Sequence, residues 1–539
     1  MVKKLLLDCT LRDGGYVNDW EFGHDNLVSV FERLTDAGVD IVEVGFLDER
    51  RPFDVNRSIM PDTQSVHKIW GKVKKKPGMV VGMIDFGTCS IRNIQPCCES
   101  FLDGIRVIFK KQKMHEAMSF CAELKKLGYK VFSQLVSITA YNDEELKELI
   151  GLVNDVEPYA VSMVDTYGLL NPVSLLHYYE ILDELVKPSI NIGFHAHNNF
   201  QLGYANAVTF LTKETRRDVV VDGTLFGMGK SAGNDPLELV AMYMNEHYAT
   251  GYNIRQMLEA IEESVKYFYA KSPWGYKTFF YLASSNKCHP SYVDYFQKKE
   301  CLSATQLDEL LSMIEPEDKK LLYDKDLAER LFNDFISSRF NDEETFMKLG
   351  REFSGKKILI LGPGMNINLQ SSLISRFISE SHPLVISVNY IPSSFNVDYV
   401  FVTKNNRYKE MANKLLECPI KVISTSNLSS RGDDFAYVFN RRPLLELKED
   451  IKDNPFVMLL KILKSSGIKE VFCAGMDGYS DTEGNYVTPS MEYDFVKNKA
   501  HYLNSHIKDI LADLKKDMDI NFITYSKYNV VVDIDNGGF

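Results

Sequence analysis

The chain lacks a cysteine pattern that would organise a disulfide framework or a zinc site. It has nine cysteines among 539 residues, and no two of them form a Cys-x-x-Cys pair. Long apolar runs are also missing: the first one stops at Asp8, too early for the core of a signal peptide, and no later segment is long enough to span a membrane. These absences predict a cytoplasmic protein with reduced thiols and no membrane contact.

An excess of positive charge is missing as well. The 62 Lys and Arg residues stand against 74 Asp and Glu residues, which gives a formal net charge of −12. Proteins that bind nucleic acid need a positive surface, so we expect no nucleic-acid partner. Hydrophobic residues make up 45% of the chain and charged residues 25%, as in ordinary globular proteins. A chain of this length exceeds one core and predicts several domains.

Eight β-rich runs alternate with helix-length segments over residues 1–272. This alternation predicts an α/β domain, and we expect a (β/α)₈ TIM barrel with an open, doubly wound sheet as the alternative. The unusual polar residues fall at the C-terminal ends of several runs, where such barrels place their active sites, and this favours the barrel. The runs are 4–7, 41–46, 80–84, 104–109, 130–135, 160–164, 190–194 and 219–224.

The remainder of the chain divides in two. Residues 273–352 read as a helical connecting segment, and residues 353–539 as a second α/β domain with a parallel sheet. Its first strand runs into Gly362-Pro363-Gly364, a turn that could hold a phosphate. Ile367 stands where a dinucleotide fingerprint has its third glycine, so a plain strand-to-helix turn is an equal alternative. Asp477 lies in a second loop at a strand end.

A candidate metal site comes from three separate parts of the barrel sequence. His195 and His197 are two residues apart on a predicted strand, so both imidazoles can face the same side. Asp13 closes the first strand, and Asn234 lies in the loop after the eighth. The first and last strands of a closed barrel are neighbours, so one ion could collect all four. Alone, the histidines could serve structural hydrogen bonds, and Asp13 could cap a turn.

Three sequence pieces together resemble the metal-dependent TIM-barrel lyase and synthase superfamily. That group includes isopropylmalate synthase, hydroxymethylglutaryl-CoA lyase and 4-hydroxy-2-oxovalerate aldolase, and the aldolase branch is the most similar. The resemblance covers about the first half of the chain. The pieces are Asp-Cys-Thr-Leu-Arg-Asp-Gly at 8–14, His-Ala-His-Asn-Asn at 195–199 and Gly-Met-Gly-Lys-Ser-Ala-Gly-Asn at 227–234, together with Glu43.

The resemblance implies a carbon–carbon lyase or synthase of the aldolase type. Such an enzyme works through a metal-bound enolate of pyruvate or a related 2-oxo acid. Arg12 would stabilise the enolate oxygen, and Glu43 would orient Arg12. The divalent ion would be Mn or Mg, with Zn or Co as alternatives. Its ligands would be Asp13, His195, His197 and, as a fourth ligand that some members use, Asn234.

Two departures from the family pattern bear on the reaction. The aldolases usually carry a proton-transferring His shortly after Arg-Asp-Gly, whereas this chain has Gly15 and Tyr16 there. Tyr16, or a nearby group such as His24, would then transfer the proton. The hydroxymethylglutaryl-CoA lyases use a Cys in the glycine loop after the eighth strand, whereas this loop has Lys230 and Ser231. That difference argues against this particular lyase.

Two alternatives to the aldolase remain open. One is an acyl-CoA-dependent condensing synthase of the same superfamily. The other comes from the C-terminal domain, which weakly resembles Rossmann-like domains of bacterial surface-polysaccharide proteins, some of which handle nucleotide sugars. In that case a nucleotide sugar would be the ligand and the barrel would serve as a scaffold. Barrels of this superfamily commonly pair, so the resemblance also implies a homodimer.

Overall fold

The computed structural model describes residues 2–428, 435–492 and 494–529. The chain forms two compact units: one comprises the residues up to Pro290 together with Lys320–Leu322, and the other comprises Ser291–Lys319 and the residues from Tyr323 onward. The predicted connecting segment, 273–352, is therefore shared by the two units. Among the described residues, no helix is both long enough and apolar enough to cross a membrane.

The first unit contains the predicted closed barrel of eight parallel strands. The first strand pairs with the second and also with the last, which closes the sheet and excludes the open alternative. A two-residue strand, β3, pairs with β2 outside the barrel. The strands are β1 (Lys4–Asp8), β2 (Ile41–Leu47), β3 (Ile59–Met60), β4 (Met79–Asp85), β5 (Gly104–Phe109), β6 (Lys130–Val136), β7 (Ala160–Asp165), β8 (Asn191–Ala196) and β9 (Val219–Gly223).

Helices follow most of the barrel strands. The sequence patterns missed β3 and the helix Thr63–Trp70, both of which are too short to show a period. Two 3₁₀ turns, Ile91–Asn93 and Cys97–Glu99, stand between β4 and β5 in place of an α-helix. The helices of eight residues or more in this unit are His24–Asp36, Thr63–Trp70, Met114–Lys126, Asp143–Val156, Pro172–Leu185, Gly203–Thr212, Leu237–Tyr248 and Thr278–Ser285, and a π-helical turn, Ile261–Val265, joins Ile254–Ala260 to Lys266–Lys271.

The interior of the barrel consists of an apolar layer followed by a polar one. Successive residues of a strand point to opposite faces, so every second residue points inward. The apolar layer includes Ile41, Phe132, Ala160 and Val220, which cluster with Leu7, Cys9, Met79 and Val81. Two residues further along the same strands, the inward side chains are polar and buried: Glu43, Gln134, Ser162 and Asp222, with Arg106 on β5. The polar layer lies towards the C-terminal ends of the strands.

The second unit is built on a seven-stranded, entirely parallel sheet, as predicted. Its order is β14-β13-β12-β11-β10-β15-β16, and the sequence patterns missed β14 and β16. The strands are β10 (Ile358–Leu361), β11 (Leu384–Val388), β12 (Tyr399–Val402), β13 (Lys421–Thr425), β14 (Phe435–Phe439), β15 (Glu470–Ala474) and β16 (Asp519–Phe522). The helices of eight residues or more from Pro290 on are Pro290–Gln297, Ala304–Ser312, Lys325–Arg339, Asp342–Phe353, Ser371–Ser381, Asn405–Glu417, Pro455–Ser465 and Ala500–Leu514.

Gly45 in β2 lies so close to the backbone of Ser58 that a substitution there tests the fold. Gly45 in β2 has φ +144°, and a Cβ there would lie 1.8 Å from the carbonyl oxygen of Ser58. We expect Gly45→Ala to cost about 1–3 kcal/mol or more, because backbone must move. Gly151→Ala is the control: no atom lies within 4 Å of its Cβ position in helix Asp143–Val156, and it should gain about 0.5–1 kcal/mol. Thermal unfolding measures the change in stability of both variants. An unchanged unfolding midpoint for Gly45→Ala would contradict the predicted destabilisation.

Candidate active site

The site begins where β1 ends. The carboxylate of Asp8 accepts hydrogen bonds from the backbone N–H of Thr10 at 3.0 Å and from its hydroxyl at 2.6 Å. This local capping turns the chain at once into the four-residue helix Thr10–Asp13. Arg12 and Asp13 are therefore successive helical residues whose side chains contact each other, and both are buried at the C-terminal end of the barrel.

The two glycines after Asp13 leave no room for side chains. A Cβ on Gly15 would lie 2.0 Å from Cδ1 of Trp20, and one on Gly14 would lie 2.3 Å from the carbonyl oxygen of Thr10. The Trp20 indole is fixed in this place, because its Nε1–H donates to the carbonyl oxygen of Arg12 at 2.8 Å. Packing of Trp20 over the loop thus excludes a side chain at position 15.

The predicted metal ligands lie together. One potential ligand atom from each of Asp13, His195 and His197 lies within 4.8 Å of the others. Nε2 of His195 is 3.5 Å from Oδ2 of Asp13, and Nε2 of His197 is 4.0 Å from the same oxygen. Asn234 forms a backbone bridge with His197. Its Oδ1 is buried and finds no hydrogen-bond partner among the described residues.

These donors fit a divalent cation. Buried polar atoms in proteins are nearly always satisfied, so the orphaned Oδ1 of Asn234 indicates a missing partner. A Cβ added to Gly229 would lie 2.8 Å from this oxygen and 2.8 Å from Oδ1 of Asp13. The two oxygens therefore flank one small space. One carboxylate, two imidazoles and an amide oxygen suit Mn, Zn, Co or Mg.

The electrostatics of the cluster suit cation binding. Burial alone would raise the pKa of Asp13, but Arg12 and His197 outweigh it and hold that pKa well below its ordinary value. Burial lowers the pKa of His197 to about 4, so its ring is neutral near pH 7 and keeps a free electron pair. Burial also disfavours charge on His195, yet hydrogen bonds to Asp13 and Asp222 raise its pKa. At acid pH a proton on His195 would therefore compete with the ion.

Two charged residues that the sequence patterns missed support this cluster from below. Arg106 is completely buried in β5, where it donates to Oε2 of Glu43 at 3.1 Å and also to Asp222. Asp222 lies at the end of β9, and its Oδ2 is 2.9 Å from Nδ1 of His195. A carboxylate on Nδ1 fixes the ring orientation and leaves Nε2 free towards Asp13.

These contacts complete a closed ring of charges. Nε of Arg12 donates to Oε2 of Glu43 at 2.7 Å, and Nη1 of Arg12 donates to Asp13. His195 closes the ring, because its Nε2 lies near Asp13 and its Nδ1 lies near Asp222. Every member is at least 95% buried, so each charge depends on its neighbours for compensation. In order, the members are Asp222, Arg106, Glu43, Arg12, Asp13 and His195.

A signal for the missed residues was present in the sequence. Arg106 interrupts an otherwise apolar β-run, Gly-Ile-Arg-Val-Ile-Phe, and Asp222 ends the run Val-Val-Val-Asp-Gly. A charge in a strand that is buried on both faces needs a partner. Cys9, His195 and Asp222 also lie close enough to suggest a second ligand set. Because they meet at Nδ1 of His195, they are better described as the supporting side of the same imidazole.

The two candidates for proton transfer are placed differently. Tyr16 lies beside the cluster and its ring makes edge contacts with Trp20 and Phe46. Burial, together with the nearby Asp13 carboxylate, raises the pKa of Tyr16 to about 12. His24 begins the helix His24–Asp36, and its backbone N–H donates to the side-chain oxygen of Asn56. No contact found among the described residues links His24 to the ligand cluster.

The barrel is similar to known proteins. Residues 4–264 match the HMGL-like family. The chain is 26% identical over 258 residues to a 4-hydroxy-2-oxovalerate aldolase of Pelotomaculum thermopropionicum, covering 47% of this chain and 74% of the relative. It is 28% identical over 243 residues to 4-hydroxy-2-oxovalerate aldolase 2 of Salinispora arenicola, covering 44% and 68%. These relatives confirm the prediction of an enzyme of the aldolase and lyase class.

A solved structure is also similar. The hydroxymethylglutaryl-CoA lyase of Pseudomonas aeruginosa aligns with 50% of this chain and 98% of its own, at 16% identity and a TM-score of 0.41. Like the HMGL-like match, this alignment covers about half of the chain.

The support from Asp222 can be tested by metal binding. We expect Asp222→Asn to weaken Mn binding about 10–100-fold, because the amide cannot supply the charge that orients His195 and balances Arg106. Calorimetric titration with Mn measures the affinity. Asp183→Asn is the control, since Asp183 pairs with Arg217 away from the cluster.

The double variant His195→Ala/His197→Ala should lose the ion, and metal content equal to wild type would refute the site.

Proposed function

We propose that the barrel is a divalent-metal-dependent aldolase that makes or breaks a carbon–carbon bond through the enolate of pyruvate or a related 2-oxo acid. The observation that carries this proposal is the position of a fixed, buried guanidinium, Arg12, directly beside the Asp13, His195 and His197 cluster. The similarity to 4-hydroxy-2-oxovalerate aldolases supports the same class of reaction. Mn or Mg is the ion we expect.

The residues of the site fall into two groups: those that would bind the ion and those that position and charge-balance the binding residues. Asp13, His195, His197 and Asn234 would hold the ion. When bound, it supplies Lewis acidity towards the carboxylate and keto oxygens of a 2-oxo acid. The ring of charges beneath keeps Asp13 ionised and His195 correctly turned. Glu43 and Asp222 thus act as positioning residues.

Arg12 is arranged to stabilise a developing negative charge. Its Nε donates a hydrogen bond to Glu43, and its Nη1 donates one to Asp13. Within the described residues, no hydrogen bond from Nη2 is found. Two fixed nitrogens hold the plane of the guanidinium, so its remaining N–H groups are directed without further ordering. Preorganised donors of this kind lower the energy of an enolate oxygen more than they lower that of a ketone.

Tyr16 is our candidate for proton transfer in place of the missing histidine. With a pKa raised to about 12 by burial and by Asp13, its hydroxyl is protonated at neutral pH. It can therefore deliver a proton as an acid but is a poor base. This fits protonation of an enolate or of an aldehyde oxygen.

Deuterium exchange into the methyl group of pyruvate tests the proposal. The wild type with Mn should catalyse exchange from ²H₂O, and Arg12→Ala should lower the rate about 10²–10³-fold, the effect of losing one preorganised donor. NMR of pyruvate measures the rate. The surface variant Arg33→Ala, which breaks a pair with Glu263, serves as control. Exchange that persists in Arg12→Ala would remove this residue from the mechanism.

A second assay separates the aldolase from an acyl-CoA-dependent synthase. A condensing synthase would release CoA from an acyl-CoA in the presence of a 2-oxo acid. An aldolase would instead convert pyruvate and an aldehyde without CoA. Free thiol and aldehyde measurements on one set of reactions therefore decide between the two.

We infer further that the C-terminal unit binds a nucleotide sugar. Parallel α/β sheets bind ligands where the strand order reverses, at the C-terminal ends of the strands. Here β10 lies between β11 and β15, so the reversal falls between β10 and β15. A cavity of about 180 Å³ lies at this point, between the Gly362-Pro363-Gly364 turn and the loop of Asp477.

The lining of this crevice favours a ligand with both aromatic and anionic parts. Tyr479, Tyr486 and Tyr528 supply ring surface. Lys404 and Arg407 lie at the start of helix Asn405–Glu417, where the helix dipole already favours an anion. The cavity is smaller than the roughly 300–1,000 Å³ of typical ligand pockets. We therefore expect it to hold one part of the ligand.

The phosphate position differs from the one expected from the glycine turn. Oδ2 of Asp477 accepts a hydrogen bond from the N–H of Asn366 at 2.8 Å, so the chain's own carboxylate occupies the place of an anion there. Oδ1 of Asp477 is buried and has no partner among the described residues. It is available to a sugar hydroxyl. Lys404, which pairs with Asp453 at 3.4 Å, and Arg407, which pairs with Glu410 at 2.8 Å, supply the positive charge nearest to the phosphate.

Thermal shift of the full chain tests this second site. We expect nucleotide sugars to raise the unfolding midpoint, since a ligand at 100 times its Kd adds about 2.7 kcal/mol. Lys404→Met should weaken binding about tenfold through loss of a phosphate contact. Lys409→Met on the exposed face of the same helix is the control. No shift with any nucleotide sugar would refute the site.

A further inference from the structure

The glycine loop after β9 anchors a lysine directly on the ligand cluster. The backbone N–H of Lys230 donates to Oδ1 of Asp13 at 3.0 Å. Its carbonyl oxygen lies 3.2 Å from Nδ1 of His197, which donates to it. The backbone of Lys230 is thus held by two of the proposed ligands. Its side chain has a fixed starting point at the mouth of the barrel.

The side chain reaches across that mouth. Nζ of Lys230 lies 5.4 Å from the centre of the Tyr16 ring, on the loop after β1. Tyr16 is 42% exposed, so the ammonium lies towards the open end of the barrel and not among the ligand atoms. It is also close enough to interact with the charges of Asp13, Arg12 and Asp85. A substrate held at the cluster would extend past this ammonium.

Within the described part of the chain, the ammonium forms no direct ion pair, although the carboxylates of Asp13 and Asp85 act on it from further away. Among residues 2–428, 435–492 and 494–529, no carboxylate lies within 4 Å of it and no hydrogen bond to it is found. Arg50, by contrast, makes a two-point pair with Asp48 at 2.6 and 2.7 Å. Burial also lowers the pKa of Lys230. A half-buried cation without a partner is unfavourable, and an anion from outside would offset that cost.

We propose that Lys230 binds a second anionic group of the substrate, a carboxylate or phosphate at the end remote from the 2-oxo acid group. This deepens the proposed aldolase function and rests on it. The 2-oxo acid group itself belongs beside Arg12 and the proposed ligands, deeper than Nζ of Lys230. The enzyme would accordingly prefer products with two negative groups over those with an uncharged tail. Asp85, whose exposed carboxylate ends β4, would repel the same group.

Binding of matched 2-oxo acids tests the proposal without turnover. Calorimetry of the Mn-loaded protein would compare 2-oxobutyrate, which has one carboxylate, with 2-oxoglutarate, which has two. A phosphorylated probe, 2-oxo-3-deoxy-6-phosphogluconate, distinguishes phosphate from carboxylate. We expect the wild type to bind at least one dianionic probe tenfold or more tightly than 2-oxobutyrate. Lys230→Met should remove that preference and change 2-oxobutyrate affinity less than twofold.

Three further variants sharpen the result. Lys230→Arg should keep most of the preference, Asp85→Asn should increase it, and Lys213→Met, on the surface beside Glu180, should not alter it. Unchanged binding of 2-oxobutyrate shows that Lys230→Met is folded. A preference that survives in Lys230→Met, or equal affinities in the wild type, would overturn the role of Lys230 alone. If no 2-oxo acid binds the wild type, the aldolase proposal fails and this one with it.

Discussion

The active-site end of the barrel depends on buried charges that compensate one another. Arg106 lies completely inside the barrel and is tolerable there because Glu43 and Asp222 flank it. Those two carboxylates in turn hold Arg12 and His195. Removing one member would leave its neighbour buried and unpaired, which costs far more than the loss of a surface ion pair. The ring therefore fixes orientation as well as charge.

This constraint accounts for the division of tasks at the end of β1. Arg12 and Asp13 are adjacent in the chain and hydrogen-bonded to each other, yet each has a different second partner. Glu43 draws the guanidinium towards β2, while Asp13 remains within reach of both imidazoles. The glycines that follow let Trp20 close over the loop. The same packing excludes any side chain at position 15, so the next residue, Tyr16, is the one proposed for proton transfer.

Much of the architecture could be predicted from local patterns. The eight barrel strands and the parallel sheet of the second unit follow from apolar runs separated by helix-length segments. Asp13, His195, His197 and Asn234 could be named as candidates because they lie in or after β1, β8 and β9 in recognisable sequence neighbourhoods. The short strand β3 and the edge strands β14 and β16 could not, because two to five residues carry too weak a period.

The sequence by itself determined the order of the longer strands and helices, the class of fold and the identity of the polar residues near the strand ends. The tertiary structure alone decided which of these residues meet. Arg106 and Asp222 are 116 positions apart and touch because closing the barrel brings β5, β2 and β9 around one interior. It also decided that Gly15 faces Trp20, that Lys230 makes no ion pair within the described residues, and that Asp477 accepts a hydrogen bond from the N–H of Asn366. Such contacts depend on where the backbone places side chains in space, and local periodicity carries no information about pairs so distant in sequence.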